Sequence, residues 1–264
     1  GQAASGLLGF EINNNGQLGG SVTVRNADNQ NFAVVEVVEV GGQRLIFTAD
    51  AEAPGITCWE VDSSGRLSEV DTLPLGENQT GTDTTALAQV TVGSKTFLID
   101  RLDAPSGNLP IANPTVLVTA VLDGTSYALL GAADSNSITV VTIADNGTMT
   151  VTDHVIDGRD TRFEGITAMD LVTVGDQVFV VAGGADDGIS LLTLLPGGRL
   201  LHLETLADSL TTTLDNISAL TATHTGGRIE IVVASATEAG VTRFAVDPGT
   251  LEATRIGGNG NDTL

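Results

Sequence analysis

Lysine and cysteine each occur once in this chain of 264 residues, as Lys95 and Cys58, and aromatic side chains make up only 3% of it. A single cysteine excludes an intrachain disulfide and a dithiol redox centre. Basic residues number 11 against 33 acidic ones, for a net charge of −22. Nucleic acid is therefore not expected as a partner, because phosphate backbones are held by Lys/Arg patches, and anionic membrane surfaces are disfavoured for the same reason. Scarce aromatics also leave little on which bases or sugars could stack. No apolar run approaches the roughly 18 residues of a membrane-crossing helix, so membrane insertion is not expected. The opening stretch, Gly1 to Ser5, has neither a basic nor an apolar segment, so a cleavable secretory signal is not expected there.

What is present is apolar and repetitive. Hydrophobic residues reach 41% and charged ones only 17%, a balance that favours a folded core over a disordered polyanion. One unit recurs: a glycine or serine, alternating aliphatic and β-branched residues, a polar turn with glycine, then an aliphatic residue. It opens at Gly6, Gly55, Ser137, Gly188 and Gly240. The strand that follows each opening residue alternates, which predicts a half-exposed strand. Between these units lies a second, two nearly continuous apolar strands around a two-residue turn. The turns are Gly41-Gly42, Gly93-Ser94, Asp123-Gly124, Gly175-Asp176 and Gly226-Gly227, residues that tolerate the positive φ of tight hairpins. Runs such as Val178–Ala182 and Ile229–Ala234 read as strands buried on both faces.

An inner hairpin followed by an outer one makes a four-stranded antiparallel sheet, the blade of a β-propeller. The turns repeat at intervals of 52 (41 to 93, and 123 to 175) and 51 (175 to 226). The interval from 93 to 123 is one hairpin too short. The expected fold is all-β, a propeller over residues 1–256 with blades of about 51 residues. It is incomplete or carries one short blade, because the outer hairpin of the blade near 84–115 is absent. The hairpin at 6–25 opens the series without an inner pair, which suggests a piece of a longer propeller. A β-solenoid is the rival architecture.

The period near 51, with long connections between units, resembles seven-bladed propellers of the lactonase and YVTN-like type. After the last unit comes Gly257-Gly-Asn-Gly-Asn-Asp-Thr-Leu264. Glycines permit a tight turn with carbonyl oxygens facing inward, and aspartate supplies a hard charged ligand. This stretch, 257–264, resembles the hemolysin-type calcium-binding repeat of bacterial RTX proteins, whose nonapeptide turns wind into a β-roll. The resemblance implies calcium held by Gly257, Asn259 and Asp262, with Leu264 in the roll's core. One turn without its ninth residue cannot complete a calcium shell, so the tail is read either as the start of a β-roll or as a flexible end.

Chain direction sorts the remaining acids. The loops joining inner to outer hairpins and those between units share one face, and they carry Asp50, Glu52, Glu77, Asp100, Asp103, Asp134, Asp157, Asp160, Glu164, Asp186, Asp187, Asp208, Asp215 and Glu238. Such a mouth could hold a metal, with Asp186-Asp187 as its adjacent carboxylates, or be a solvated rim. His154, His202 and His224 fall at unequal positions and are not expected to converge on a triad or metal. Cys58 and Trp59 replace aliphatics and suit packing. Arg159 and Arg162 could anchor an acidic ligand or pair with their neighbours. No catalytic residue stands out. The expectation is a non-catalytic propeller scaffold or adhesion module of a secreted, calcium-linked RTX-type bacterial protein, exported by a type I route and meeting a protein or cell surface. The alternatives are a lactonase-like hydrolase with a metal in the acidic mouth, and a surface-layer or filament subunit associating through its edge strands.

Overall fold

The computed structural model describes residues 6–12, 17–25, 32–40, 42–50, 55–74, 87–92, 95–100 and 111–249. The chain divides into two compact units, one of residues 1–89 with 98–102, the other of 90–97 with 103–264. Among the described residues all elements are β-strands.

In the first unit, β1 (Gly6–Ile12) pairs with β2 (Leu18–Arg25). Next, β3 (Phe32–Val40), β4 (Gln43–Asp50), β5 (Gly55–Val61) and β6 (Leu67–Pro74) form an antiparallel sheet in chain order. Trp59 is buried and its indole N–H donates to Thr48 Oγ1 at 2.9 Å, so packing accounts for it. Cys58 beside it is half-buried, and burial pushes its thiol pKa up, with the Asp71 charge adding to this. Both effects keep it a thiol rather than a nucleophilic thiolate. β7 (Leu87–Val92) and β8 (Lys95–Asp100) form a two-stranded sheet that the division between the units crosses.

The second unit repeats the design. β9 (Pro114–Leu122), β10 (Thr125–Ala132), β11 (Ser137–Ile143) and β12 (Met149–Ile156) make one four-stranded sheet. β13 (Ala168–Val174), β14 (Gln177–Gly183), β15 (Gly188–Leu195) and β16 (Arg199–Ala207) make the next. β17 (Ile217–Thr225), β18 (Arg228–Ser235) and β19 (Val241–Val246) make a third of three described strands. The turn at Asp123-Gly124 has φ of 50° and 74°, and Gly226-Gly227 has 58° and 79°, the mirror-type hairpins that these residues permit. A bulge follows the fourth residue of the third strand at Cys58, Val140 and Leu191, tightening the twist at the same place in each sheet.

The three sheets of this unit stack face to face, with the first strand of each in contact with the first strand of the next. Between the first two lies a core that includes Tyr127, Leu129, Ile138, Val140, Val178 and Val180. Between the second and third lies another that includes Phe179, Val181, Ile189, Leu191, Ile229 and Ile231. Successive residues of β14 therefore enter opposite cores, which explains its unbroken apolar run. β11 and β15 depart from the expectation of half-exposed strands: β15 is buried from Gly188 to Leu194. Its sheet is covered on both faces, so alternation of residue type does not become alternation of exposure.

Small polar contacts repeat with the period. Asn113, Gly165 and Asn216, each just before or near the first strand of a sheet, have φ of 53°, 54° and 55°. Thr115 Oγ1 donates to the Ile166 carbonyl and Thr167 Oγ1 to that of Ile217, tying the start of each sheet to the start of the next. Between the first two sheets, the Gly197 N–H donates to Tyr127 Oη at 3.2 Å and the Leu200 N–H to Asp153 Oδ2 at 2.8 Å.

Candidate functional site

In the second unit the acidic loops gather as chain direction requires. The loop 184–187 sits between the two inter-sheet loops, since the Ala185 N–H donates to the Glu164 carbonyl at 2.7 Å, the Asp208 N–H to Asp187 at 3.1 Å and the Ile217 N–H to Gly184 at 2.7 Å. The carboxylates there serve the loops first. Asp157 Oδ1 accepts the Thr161 hydroxyl at 2.8 Å and the Phe163 N–H at 3.0 Å. Asp208 Oδ1 takes the equivalent bonds from Thr212 at 2.8 Å and Leu214 at 3.0 Å. The Thr212 hydroxyl bond, followed by the Leu214 and Ser209 amides, holds the Asp208 carboxyl below its usual range. Asp134 Oδ1 accepts the Asn113 side-chain amide at 3.1 Å, Asp215 Oδ2 the Thr237 hydroxyl at 2.9 Å, and Glu238 Oε2 the Asp215 N–H at 3.2 Å.

The Asp-x3-Thr-x-apolar loop was not picked out from sequence, although its signal is present. Asp157, Thr161 and Phe163 recur 51 positions on as Asp208, Thr212 and Leu214. The aspartate satisfies loop donors that would otherwise be stranded, and the terminal side chain enters the core with 0% exposure in both copies.

The two adjacent carboxylates differ in their surroundings. Asp186 Oδ2 lies 3.8 Å from Arg162 Nη1, and its Oδ1 accepts the Asp187 N–H at 3.0 Å. Arg162 Nη1 also donates to the Thr161 carbonyl at 2.8 Å, so this arginine is engaged by its own loop as well as by the acid. Asp187 has its pKa raised by desolvation, then by the charge and hydrogen bond of Asp215, with Asp186 and Asp208 adding repulsion. Among the described residues, no three His, Cys, Asp or Glu side chains stand together as a metal site. Gly257, Asn259 and Asp262 lie outside the described residues, as do residues 101–110 where the short unit was expected.

The histidines keep separate company. His154 Nδ1 bonds Thr139 Oγ1 at 2.9 Å on β11, His202 Nε2 bonds Thr205 Oγ1 at 2.9 Å on β16, and His224 is exposed near the end of β17. Lys95, the solitary lysine, donates to the Asp145 carbonyl in the β11–β12 turn at 3.3 Å. No nucleophile–base–orienter series is formed by these bonds. No protein-family model matches the chain, and no curated protein is significantly similar to it.

Proposed function

We propose that this chain is a β-propeller-type scaffold with one short blade, serving as a non-catalytic adhesion or display module of a secreted, calcium-linked bacterial protein. The observation that carries the architecture is the stacking of three sheets through two apolar cores with their first strands adjacent. A radial stack of four-stranded sheets is how a propeller buries both faces of each blade. The non-catalytic reading is supported by how the mouth spends its acids: Asp157, Asp208, Asp215 and Glu238 are committed to loop hydrogen bonds. The calcium reading rests on the glycine- and aspartate-bearing tail at 257–264.

A calorimetric titration of the full chain with calcium chloride tests this reading against a metal-dependent hydrolase. Weak binding, on the order of 0.1–1 mM as in extracellular modules, that is lost in Asp262→Ala and kept in Asp186→Asn/Asp187→Asn supports the scaffold. Binding lost in the Asp186/Asp187 variant and kept in Asp262→Ala supports the hydrolase, and no binding at all removes calcium from the account.

A further inference from the structure

The turns that join the third and fourth strands of a sheet share one design. In three described copies a glycine N–H donates back to the carbonyl at the start of the turn: Gly65 to Asp62 at 2.9 Å, Gly147 to Ala144 at 2.8 Å and Gly198 to Leu195 at 3.0 Å. Their φ values are 78°, 83° and 80°, a left-handed backbone that calls for glycine at this place. The residue before it varies, and is Ser64, Asn146 and Gly197 in turn. Of the three, the β11–β12 turn alone puts asparagine directly before glycine.

That pair carries a chemistry the other two turns lack. A backbone nitrogen can attack the side-chain amide carbon of the asparagine before it, and a glycine, lacking Cβ, leaves the path open. Asn146 is exposed and its Oδ1 accepts the Thr148 N–H at 2.9 Å. This bond folds the carboxamide back along the Gly147 peptide. It also draws electron density from Cγ, the atom under attack. Opposing it is the bond from the Gly147 N–H to Ala144, which must open before the nitrogen is free. One turn hydrogen bond of ordinary net strength slows the attack by roughly two- to tenfold.

The other described asparagines are held out of this reaction. Asn113 precedes Pro114, which has no N–H to lose. Asn136 Oδ1 accepts the Gly165 N–H at 2.8 Å, and Ser137 after it is wholly buried. Asn216 precedes the buried Ile217, whose N–H donates to Gly184 at 2.7 Å. Asn15-Gly16 and Asn259-Gly260 lie outside the described residues.

We propose that Asn146 is a site of spontaneous deamidation. The Gly147 nitrogen gives up its proton and bonds to Asn146 Cγ, the side-chain nitrogen leaves as ammonia, and a cyclic succinimide remains. Water then opens either of its carbonyls, leaving aspartate or isoaspartate in place of Asn146. The new carboxylate stands beside Asp145, whose carbonyl accepts Lys95 Nζ. Isoaspartate also puts an extra carbon into the backbone of a turn packed on β8, where a Cβ on Gly147 would lie 3.1 Å from the Phe97 ring. The inference goes beyond the scaffold reading and does not rest on it, since the reaction needs only water and the turn's own geometry.

The test incubates the full chain in mildly alkaline buffer made with water enriched in heavy oxygen, beside a second sample in urea. Peptide mapping by mass spectrometry then locates the oxygen that enters as the succinimide opens. The folded protein should gain label at Asn146 within about tenfold of the rate in urea, with Asn113, Asn136 and Asn216 unlabelled. Asn146→Ser, which borrows the residue of the β5–β6 turn, should lose that label; label surviving in its peptide would assign the reaction elsewhere and overturn the proposal. Label at Asn146 in urea alone would overturn it too, by showing that the bond to Ala144 guards the site. Equal labelling of Asn136 or Asn216 in folded protein would do the same, because the turn would then select nothing.

Discussion

Asp157 reaches along its own loop to accept the backbone N–H of Phe163 at 3.0 Å, and the phenylalanine it positions is wholly buried between two sheets. One repeat later Asp208 does the same for Leu214. A polar residue on the rim thus sets the entry of an apolar one into the core. Asp157→Ala removes the acceptor for both the Phe163 amide and the Thr161 hydroxyl. The expected loss is about 1–3 kcal/mol, read as a lowered urea midpoint with unchanged slope. A slope change would mean that the loop also governs how compact the unfolded chain is.

Two aspartates on the same rim should respond to pH with opposite sign. Asp208 has its pKa lowered, so its contribution is present above the ordinary unfolded value of about 3.9 and is lost as pH falls through the lower folded value. Asp208→Asn should therefore destabilise the protein at pH 7 and make little difference well below pH 3 or so. Asp187 has its pKa raised, so the favourable contribution is present below the unfolded value and lost as pH rises through the folded one. Asp187→Asn should relieve charge repulsion with Asp215 and stabilise at pH 7. Thermal unfolding of both variants from about pH 2 to 8 checks the pair; curves that shift the same way at neutral pH would refute it.

Adjacent glycines in the β15–β16 turn separate strain from crowding. Gly197 and Gly198 have φ of 86° and 80°. A Cβ on Gly197 meets nothing within 4 Å, but one on Gly198 would stand 2.2 Å from Thr152 Oγ1 and 2.8 Å from Tyr127 Cε1. Gly197→Ala should cost about 1 kcal/mol, the usual penalty of a left-handed backbone. Gly198→Ala should cost at least about 2 kcal/mol, since β12 and the Tyr127 ring must also move. Equal losses in urea would show that the turn, and not the neighbouring sheet, limits both positions.

The period was legible because its markers are chemical necessities. Asp123-Gly124 and Gly226-Gly227 adopt the positive φ that the hairpins demand, and few other residues would do so. The apolar run Val178–Ala182 likewise announced a strand covered on both faces. Less was legible where composition and environment part company. β15 carries Ser190 and Thr193 among aliphatic residues, yet both polar side chains are buried, with Thr193 Oγ1 donating to the Val178 carbonyl at 3.1 Å. A hydroxyl that finds a backbone acceptor reads in sequence like one that faces water. The acidic loops are another case: charge alone does not show that Asp157 and Asp208 accept the amides and hydroxyls of their own loops. Nor does sequence show that Glu230 and Arg243 occupy positions filled by Phe179 and Leu191 in the preceding sheet, until strand pairing fixes the register.

An alanine scan along β14 addresses the central claim, that each interior sheet is sandwiched between two others. Val178 and Val180 enter one core, Phe179 and Val181 the other. Stacking predicts that every one of the four substitutions is destabilising, by roughly 1–3 kcal/mol for the valines and 3–5 kcal/mol for Phe179→Ala. Losses confined to alternate positions, with the others near zero, would mean that β14 has one wet face and that the sheets do not stack as described.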